Sequence, residues 1–410
     1  MVISAGMTFL VALVAGLVLT PVARRAARHC GVVDHPDGHR KLHGKPVPLW
    51  GGVAVTMAML AGMAATTFAW PFEPADDRLS LELAVAVATG LVCLIGVVDD
   101  SFDLSPRRKL VLQSLAALSV VALGYSVTRV SLFGFSIELG NYGSALTVVW
   151  LLACINAMNL LDGLDGLASL AGLIIAAAIA AVSLVAGHPQ VALIGFALAG
   201  SLAAFLVFNR PPASIYLGDS GSLVIGMVVG ILAWQGSLVD NGTLPIGIPL
   251  AIMTLPLLDT CLAVVRRRLN GRRFDAADRD HIHHRLLRRG LTPRQVLGLI
   301  ALLMMLTGSG AVLATTLARA SLAWSGSLLV VAFLFASRLF GSEELLLMRV
   351  AIAQAFSRAW LVNLRGDAKG AAPNPTESVP IRSKILPFHA SVRAAQPETP
   401  TAAGDDREAA

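Results

Sequence analysis

Charged side chains are scarce in this sequence: of its 410 residues, only 14% are Asp, Glu, Lys or Arg. An ordinary soluble domain carries roughly 25%. Hydrophobic residues make up 55% of the chain, and its mean hydropathy is +0.71. The composition therefore argues against a soluble domain and indicates a membrane protein.

Cysteines are also few. Cys30, Cys93, Cys154 and Cys261 stand singly, with no C-x-x-C spacing between any two of them. That pattern argues against a zinc ribbon and against a disulfide framework. We interpret all four as small apolar residues in or beside membrane spans.

Long apolar runs, by contrast, recur along the chain, and roughly 18 such residues can cross the hydrocarbon of a bilayer as a helix. Eleven can be read, at residues 2–20, 50–69, 81–98, 110–127, 145–160, 167–187, 191–208, 223–238, 244–264, 296–316 and 320–340. We predict an all-α polytopic membrane domain over residues 1–340. An amphipathic or juxtamembrane segment at 341–365 and a disordered cytoplasmic tail at 366–410 are predicted to follow.

Basic residues predict the orientation of these spans. All but Arg78, Arg129 and Arg319 of the 32 Lys and Arg residues fall in segments that an eleven-span topology puts on one side. Because positively charged loops stay in the cytoplasm, the N-terminus is predicted outside and the C-terminus in the cytoplasm. The net charge of +6 then reflects topology, and we expect no nucleic-acid partner.

Four polar clusters lie at span ends on this cytoplasmic side. They are DDSFDL, NAMNLLDGLDGLA, YLGDSGS and DRDHIHHRL, which begin at residues 99, 156, 216 and 278. A carboxylate near a bilayer is costly unless it is paired, solvated or bound to a cation. Taken alone, Asp99 and Asp100 could be acidic residues that end a helix at the water interface and are neutralised by Arg107, Arg108 and Lys109. Four clusters on one side instead favour one shared site.

The donor types in these clusters predict a metal and a class of ligand. Carboxylates and amides without thiolates suit a hard cation such as Mg²⁺, which keeps water or substrate phosphates in its shell. The predicted substrate is therefore a phosphate or diphosphate. Lys109, Arg107, Arg108 and the arginines of 266–289 are available to hold it, although positive-inside anchoring accounts for some of the arginines of 266–289.

Two other kinds of site fit the sequence less well. GDSGS at 218–222 is similar to the nucleophile loop of a serine protease, but no all-β pattern surrounds Ser220, and its glycines predict a turn that brings Asp219 to a metal or phosphate. In a helix, His281, His284 and Arg285 would share a face and His283 would not, which argues against zinc. Diphosphate binding and a solvated basic loop both remain open for this segment.

In this order and at these separations, the four clusters resemble the motifs of the polyprenyl-phosphate N-acetylhexosamine-1-phosphate transferases, over residues 5 to 340. The resemblance implies that polyprenyl phosphate, undecaprenyl phosphate being expected, attacks the sugar-linked phosphate of a UDP-sugar and releases UMP. It implies Mg²⁺ as cofactor, with Mn²⁺ an alternative, and a site at the cytoplasmic face of the inner membrane. The product would begin the membrane steps of cell-envelope polysaccharide synthesis.

The resemblance also implies three groups of site residues. The metal ligands are Asn159 and Asp219. The catalytic group, near the lipid phosphate and the diphosphate, consists of Asp99, Asp100, Lys109, His281, His283 and His284. The substrate-binding group, with Asp165 at the uracil, consists of Asp103, Asn156, Asp162, Asp165 and Arg285. Whether the lipid phosphate attacks directly or an aspartate first forms a covalent intermediate is left open.

Asp103 and the HIHH arrangement favour the N-acetylhexosamine branch, with GlcNAc as the expected sugar, over the branch that transfers phospho-MurNAc-pentapeptide. One segment departs from the family pattern, because Leu49 and Trp50 stand where PVP is usually followed by Arg, and we assign that loop no catalytic role. A homodimer is compatible with the sequence. An ion-coupled transporter is the alternative from another class, but carriers place ionisable residues near the bilayer midplane.

Overall fold

The computed structural model describes residues 1–34, 46–69, 75–239, 242–271 and 280–339, without the side chains of residue 2 and of residues 66–80. All of these residues belong to one compact unit, Met1–Ala351. The predicted juxtamembrane segment at 341–365 and the predicted tail at 366–410 lie outside the described residues.

Helices account for most of the described chain, in agreement with the predicted fold class. Their bounds are α1 (Val2–His29), α2 (Gly51–Ala69), α3 (Ala75–Phe102), α4 (Pro106–Ala122), α5 (Tyr142–Leu161), α6 (Leu167–Ala186), α7 (Pro189–Asn209), α8 (Asp219–Gln235), α9 (Gly247–Ile252), α10 (Thr254–Leu269), α11 (Ile282–Arg288), α12 (Pro293–Thr316) and α13 (Ser321–Ala336).

Among the described residues, six helices are long and apolar enough to cross a membrane: α1, α3, α5, α6, α7 and α12. Three further helices, α2, α8 and α13, are also apolar, but their apolar stretches within the described residues are shorter. The chain is therefore a multi-pass membrane protein, whereas the count of eleven spans and the orientation of the termini stay predictions. Exposed Leu10, Val14 and Val18 on α1 fit a surface that faces lipid.

The prediction of one continuous span over 244–264 is wrong. Strand β5 (Thr243–Pro245) and the six-residue helix α9 come first, and α10 begins only at Thr254. The segment contains Pro245, Pro249 and Pro256, and a proline cannot donate a backbone hydrogen bond inside a helix. The interruption leaves α10 as a separate element that carries Asp259.

The purely helical prediction also missed two small sheets. β1 (Val33–Asp34) pairs with β2 (Val47–Pro48), and β3 (Arg129–Leu132) pairs with β4 (Phe135–Glu138) and, in parallel, with β5. The β3–β4 turn places Phe133 and Gly134 at positive φ, the geometry of a tight hairpin. This hairpin joins the end of α4 to the start of α5, at the opposite end of these helices from the polar clusters.

Helix α8 forms the centre of the bundle and is buried from Ser220 to Trp234. It packs against α2, α3 and α5, while α1 packs against α2 and α7. Small residues allow the close contacts: a Cβ at Gly226 would lie 2.4 Å from the Cα of Ile155 in α5. Close approach of this kind is how helices associate where lipid removes the hydrophobic driving force.

Candidate active site

Four helix ends meet at one end of the bundle, because α3 and α5 end there while α4 and α8 begin there. They border a cavity of about 690 Å³, which α10 and α11 complete. Its polar lining comes from all four predicted clusters and from α4 and α10: Asp99, Asp103, Lys109, Gln113, Asn156, Asn159, Asp162, Asp219, Thr260, Arg267, His281, His283 and His284. The structure thus brings most of the predicted site residues to one place.

Lys109 occupies the centre of the acidic side of this cavity. Its Nζ lies 2.7 Å from Oδ2 of Asp99 and 2.6 Å from Oδ2 of Asp219. The other oxygen of Asp99 accepts a hydrogen bond from the backbone N–H of Leu104, at 2.7 Å. One ammonium group therefore bridges two carboxylates that come from different helices.

Asn159 holds Asp219 from the opposite side. Its Nδ2 donates to Oδ1 of Asp219 and, at 2.9 Å, to Oγ of Ser222 one turn further along α8. Asn156, one turn earlier on α5, donates from Nδ2 to Oε1 of Gln113 at 3.0 Å. Spacing by three along α5 therefore directs both amides to the cavity, as the sequence predicts.

Asp100 does not line the cavity. Its Oδ1 accepts from the backbone N–H of Asp219 at 2.8 Å, and its Oδ2 accepts from that of Ser220 at 3.2 Å. A carboxylate at the first N–H groups of a helix satisfies donors that have no partner within the helix. In the structure Asp100 positions the start of α8, and with it Asp219, whereas Asp99 faces the cavity.

Asp165 and Arg285 also lie outside the cavity lining. Oδ2 of Asp165 accepts from the backbone N–H of Ala213 at 2.9 Å, which ties the DGLDG turn to the loop before α8. Arg285 donates from Nε to the carbonyl oxygen of Asp280 and from Nη1 to that of Leu339. The expectation that Arg285 shares a face with His281 is wrong, because His281 precedes α11 in an extended conformation.

The cavity lining carries more carboxylates than cationic side chains, since four aspartates stand against Lys109 and Arg267. Asp162, directly after α5, shows the effect of this excess of carboxylates. Burial, together with the nearby charges of Asp219, Asp100 and Asp165, raises its pKa well above the usual range. A group of this kind is stabilised in its charged form when a further cation enters. The local charge is therefore arranged to accept a positive ion or a cation-bound phosphate.

The three histidines line a further part of the cavity, here called the histidine wall. The rings of His281 and His283 are parallel, with centroids 5.9 Å apart, and His284 packs against His283 at 4.2 Å. His283 is 1% exposed, and neither of its ring nitrogens has a hydrogen-bond partner in the structure. Burial, followed by the two neighbouring histidines, lowers its pKa to about 3, so His283 is neutral at physiological pH.

Sequence reasoning missed Asp259, which is buried on α10. Its Oδ2 lies 3.0 Å from Nδ1 of His281, and its Oδ1 accepts from the backbone N–H of Ile282 at 3.2 Å. Gln113 and Thr260 were missed as well, whereas Arg267 belongs to the arginines of 266–289 that the sequence offered for phosphate binding. The signal for Asp259 was a single acid inside an otherwise apolar segment, and such residues in membrane proteins are candidates for a functional site.

Close backbone contacts fix the start of α8. A Cβ at Gly52 would lie 2.0 Å from the backbone nitrogen of Gly221, and one at Gly96 would lie 2.3 Å from the Cα of Ser220. Gly51 and Gly52 donate backbone hydrogen bonds to the carbonyl oxygens of Tyr216 and Leu217. The residues after Leu49 and Trp50 therefore support the loop before Asp219. Ser220 itself is fully buried, which does not fit an exposed nucleophile.

These features define a multi-pass membrane protein with a cavity of carboxylates, amides and imidazoles at one end of its helices. The sequence model described as glycosyl transferase family 4 matches residues 82–237. A Bacillus subtilis (strain 168) protein named probable undecaprenyl-phosphate N-acetylglucosaminyl 1-phosphate transferase is 32% identical over 288 residues, which cover 70% of this chain and 78% of the relative.

Two further relatives have similar names. The decaprenyl-phosphate N-acetylglucosaminephosphotransferase of Mycolicibacterium smegmatis is 36% identical over 66% of this chain and 72% of its own. The undecaprenyl-phosphate alpha-N-acetylglucosaminyl 1-phosphate transferase of Escherichia coli (strain K12) is 31% identical over 71% of this chain and 79% of its own. The chain belongs to glycosyl transferase family 4 and is an enzyme of that family.

Proposed function

We propose that this protein transfers GlcNAc-1-phosphate from UDP-GlcNAc to a polyprenyl phosphate, undecaprenyl phosphate being the expected acceptor, and releases UMP. The observation that carries the proposal is the Lys109 ammonium between Asp99 and Asp219, in a cavity that is also lined by three histidines. The names of the relatives support the sugar and the lipid.

The reaction exchanges one phosphorus–oxygen bond for another. An oxygen of the lipid phosphate attacks the sugar-bearing phosphorus, and the bond from that phosphorus to the oxygen of UMP breaks. The attacking phosphate is largely ionised at neutral pH, so the protein mainly has to align it and offset the negative charge. Lys109 and Arg267 provide positive charge inside the cavity, and His281 and His284 provide ring nitrogens at its wall.

Direct attack by the lipid phosphate is the mechanism that we propose. Both oxygens of Asp100 are engaged by backbone N–H groups, and both oxygens of Asp99 are engaged by Lys109 and Leu104. Neither carboxylate is therefore placed as a free nucleophile. A rapid-quench search for an aspartyl phosphate tests this point, and trapping one would exclude direct attack.

The residues of the cavity fit Mg²⁺. Asp219, Asn159 and Asp99 supply only oxygen and amide ligands, and Lys109 Nζ already marks a position between two carboxylates where positive charge is stable. No group of three or more His, Cys, Asp or Glu side chains arranged for a metal occurs in the described part of the chain. Mg²⁺ typically uses one or two carboxylates and completes its shell with water and substrate phosphates. When bound, the ion, or Mn²⁺ in its place, would offset charge on the phosphates.

The proposed location is the inner (plasma) membrane of a bacterium, with the cavity at the cytoplasmic face. The excess of Lys and Arg in the segments around the cavity supports that orientation. The product would start a cell-envelope polysaccharide, such as lipopolysaccharide or teichoic acid.

A membrane assay with undecaprenyl phosphate and a panel of UDP-sugars, scored by UMP release, tests the proposed substrate. UDP-GlcNAc is expected to be the preferred donor. Release of UMP from UDP-MurNAc-pentapeptide but not from UDP-N-acetylhexosamines would contradict the proposal.

A further inference from the structure

The buried pair of Asp259 and His281 joins α10 to the histidine wall. Their side chains are 3% and 5% exposed, and Nδ1 of His281 lies 3.0 Å from Oδ2 of Asp259. The second carboxylate oxygen accepts from the backbone N–H of Ile282, the first residue of α11. The two carboxylate oxygens of Asp259 thus contact His281 and Ile282, two consecutive residues at the start of α11.

A carboxylate in this position requires a compensating interaction. Asp259 is 2% exposed and lies on α10 between Leu255 and Leu262, both of them buried. Burying a charge in apolar surroundings is costly unless it is paired and hydrogen-bonded. The hydrogen bond from Ile282 would be enough to hold the start of α11 against α10. The second hydrogen bond, to the imidazole of His281, therefore needs another explanation.

That second bond determines what His281 presents to the cavity. With Nδ1 held by Asp259, Nε2 is the ring nitrogen left for a ligand, and His281 is part of the cavity lining. The ring of His283 lies parallel to that of His281, with the two centroids 5.9 Å apart. A carboxylate that holds one ring nitrogen is the usual way in which proteins set the tautomer and orientation of a functional histidine.

We propose that Asp259 is a positioning residue for His281, and that it directs Nε2 of His281 toward the diphosphate of the nucleotide sugar. This inference rests on the proposed function, because it assigns the ligand of that ring nitrogen. Asp259 itself is not part of the cavity lining. Its effect on the reaction passes through His281.

A double-mutant cycle on the full-length protein separates positioning from simple support of the fold. The variants are Asp259→Asn, His281→Gln and the two combined, with kcat and KM for UDP-GlcNAc as readouts. Asp259→Asn alone is expected to lower kcat/KM about 10- to 100-fold, the range for a residue that orients another. In the His281→Gln background, the same change is expected to cost less than about two-fold, since its target is absent.

The matched control is Asp280→Asn, the same change one residue before His281 at an acid that pairs with Arg288 on the surface. It is expected to leave kcat/KM within about two-fold. Equal, additive losses from Asp259→Asn in both backgrounds would overturn the inference. If Asp259→Asn does not fold, the same cycle is run with Asp259→Glu, which keeps the carboxylate and adds one methylene. Coupling to His281 then supports the inference and additivity overturns it.

The activity of the wild-type protein distinguishes failure of the positioning role of Asp259 from failure of the proposed function. Without UMP release from UDP-GlcNAc by wild-type protein, the proposed function is wrong. With wild-type release and an additive cycle, the proposed function stands and only the positioning role of Asp259 is wrong.

Discussion

The Nζ atom of Lys109 lies 2.6 Å from Oδ2 of Asp219, although 110 residues separate the two in the sequence. The contact joins the first turns of α4 and α8, two helices that begin at the same end of the bundle. Both side chains are largely withdrawn from water, so the pair is screened much less than a surface ion pair. The geometry of the acidic wall therefore depends on this contact.

Replacing Lys109 should remove activity without removing the fold. Lys109→Met leaves Asp99 and Asp219 facing each other with no cation, and we expect UMP release to fall about 10²- to 10³-fold, as for loss of one preorganised charge-stabilising group. The control is Arg107→Gln on the same helix, at an exposed side chain outside the cavity lining, which should retain near wild-type release. Near wild-type release by Lys109→Met would remove Lys109 from the site.

The start of α8 should tolerate no side chain at Gly96. Gly96→Ala places a Cβ 2.3 Å from the Cα of Ser220, and we expect a loss of about 1–3 kcal/mol in stability, since overpacking forces the backbone to shift. Gly90→Ala, on the same helix, meets nothing within 4 Å and should be neutral or stabilising by up to about 1 kcal/mol. Thermal unfolding of both variants in detergent measures the difference, and equal transition temperatures would be inconsistent with the close packing of α3 on α8.

His283 should make stability depend on pH. Its pKa is lowered to about 3 by burial, from an unfolded value near 6.5. Between these values the unfolded chain binds a proton that the folded protein does not, so stability is present above pH 6.5 and is lost as pH falls toward 3. The contribution of this one group is up to about 1.4 kcal/mol per pH unit.

Comparing His283→Gln with the wild type isolates this effect from the other titrating groups. The stability of the variant, measured by chemical unfolding from pH 7 to pH 4, should fall less steeply with acid than that of the wild type. Parallel curves would show that His283 is not held neutral in the folded protein.

The composition of the cavity followed well from the sequence. Polar residues at the ends of apolar runs, combined with the side on which Lys and Arg gather, predict that Asp99, Asn159, Asp219 and the histidines face one compartment. The structure places these residues around one cavity. Periodicity along α5 was enough to direct Asn156 and Asn159 to the same side.

The exact position of each acid did not follow from the sequence, because it depends on backbone groups of distant loops. Asp100 and Asp165 accept from backbone N–H groups that the chain brings near only after folding. The role of Asp259 could not be predicted because residues 244–264 have the composition of one continuous span. The chain instead forms β5, the short helix α9 and α10 there. Arg285 turns away from the cavity because α11 begins one residue after His281.

The formation of polyprenyl-diphosphate-GlcNAc from labelled UDP-GlcNAc and undecaprenyl phosphate, by wild-type protein and Asp219→Asn, tests the central claim most directly. With Mg²⁺, the wild type should form the lipid product and UMP in equal amounts, and chelation of the metal should abolish both. Asp219→Asn should insert into membranes normally and lose product formation about 10²-fold or more. Retained turnover by Asp219→Asn, or no lipid product from the wild type, would contradict the account.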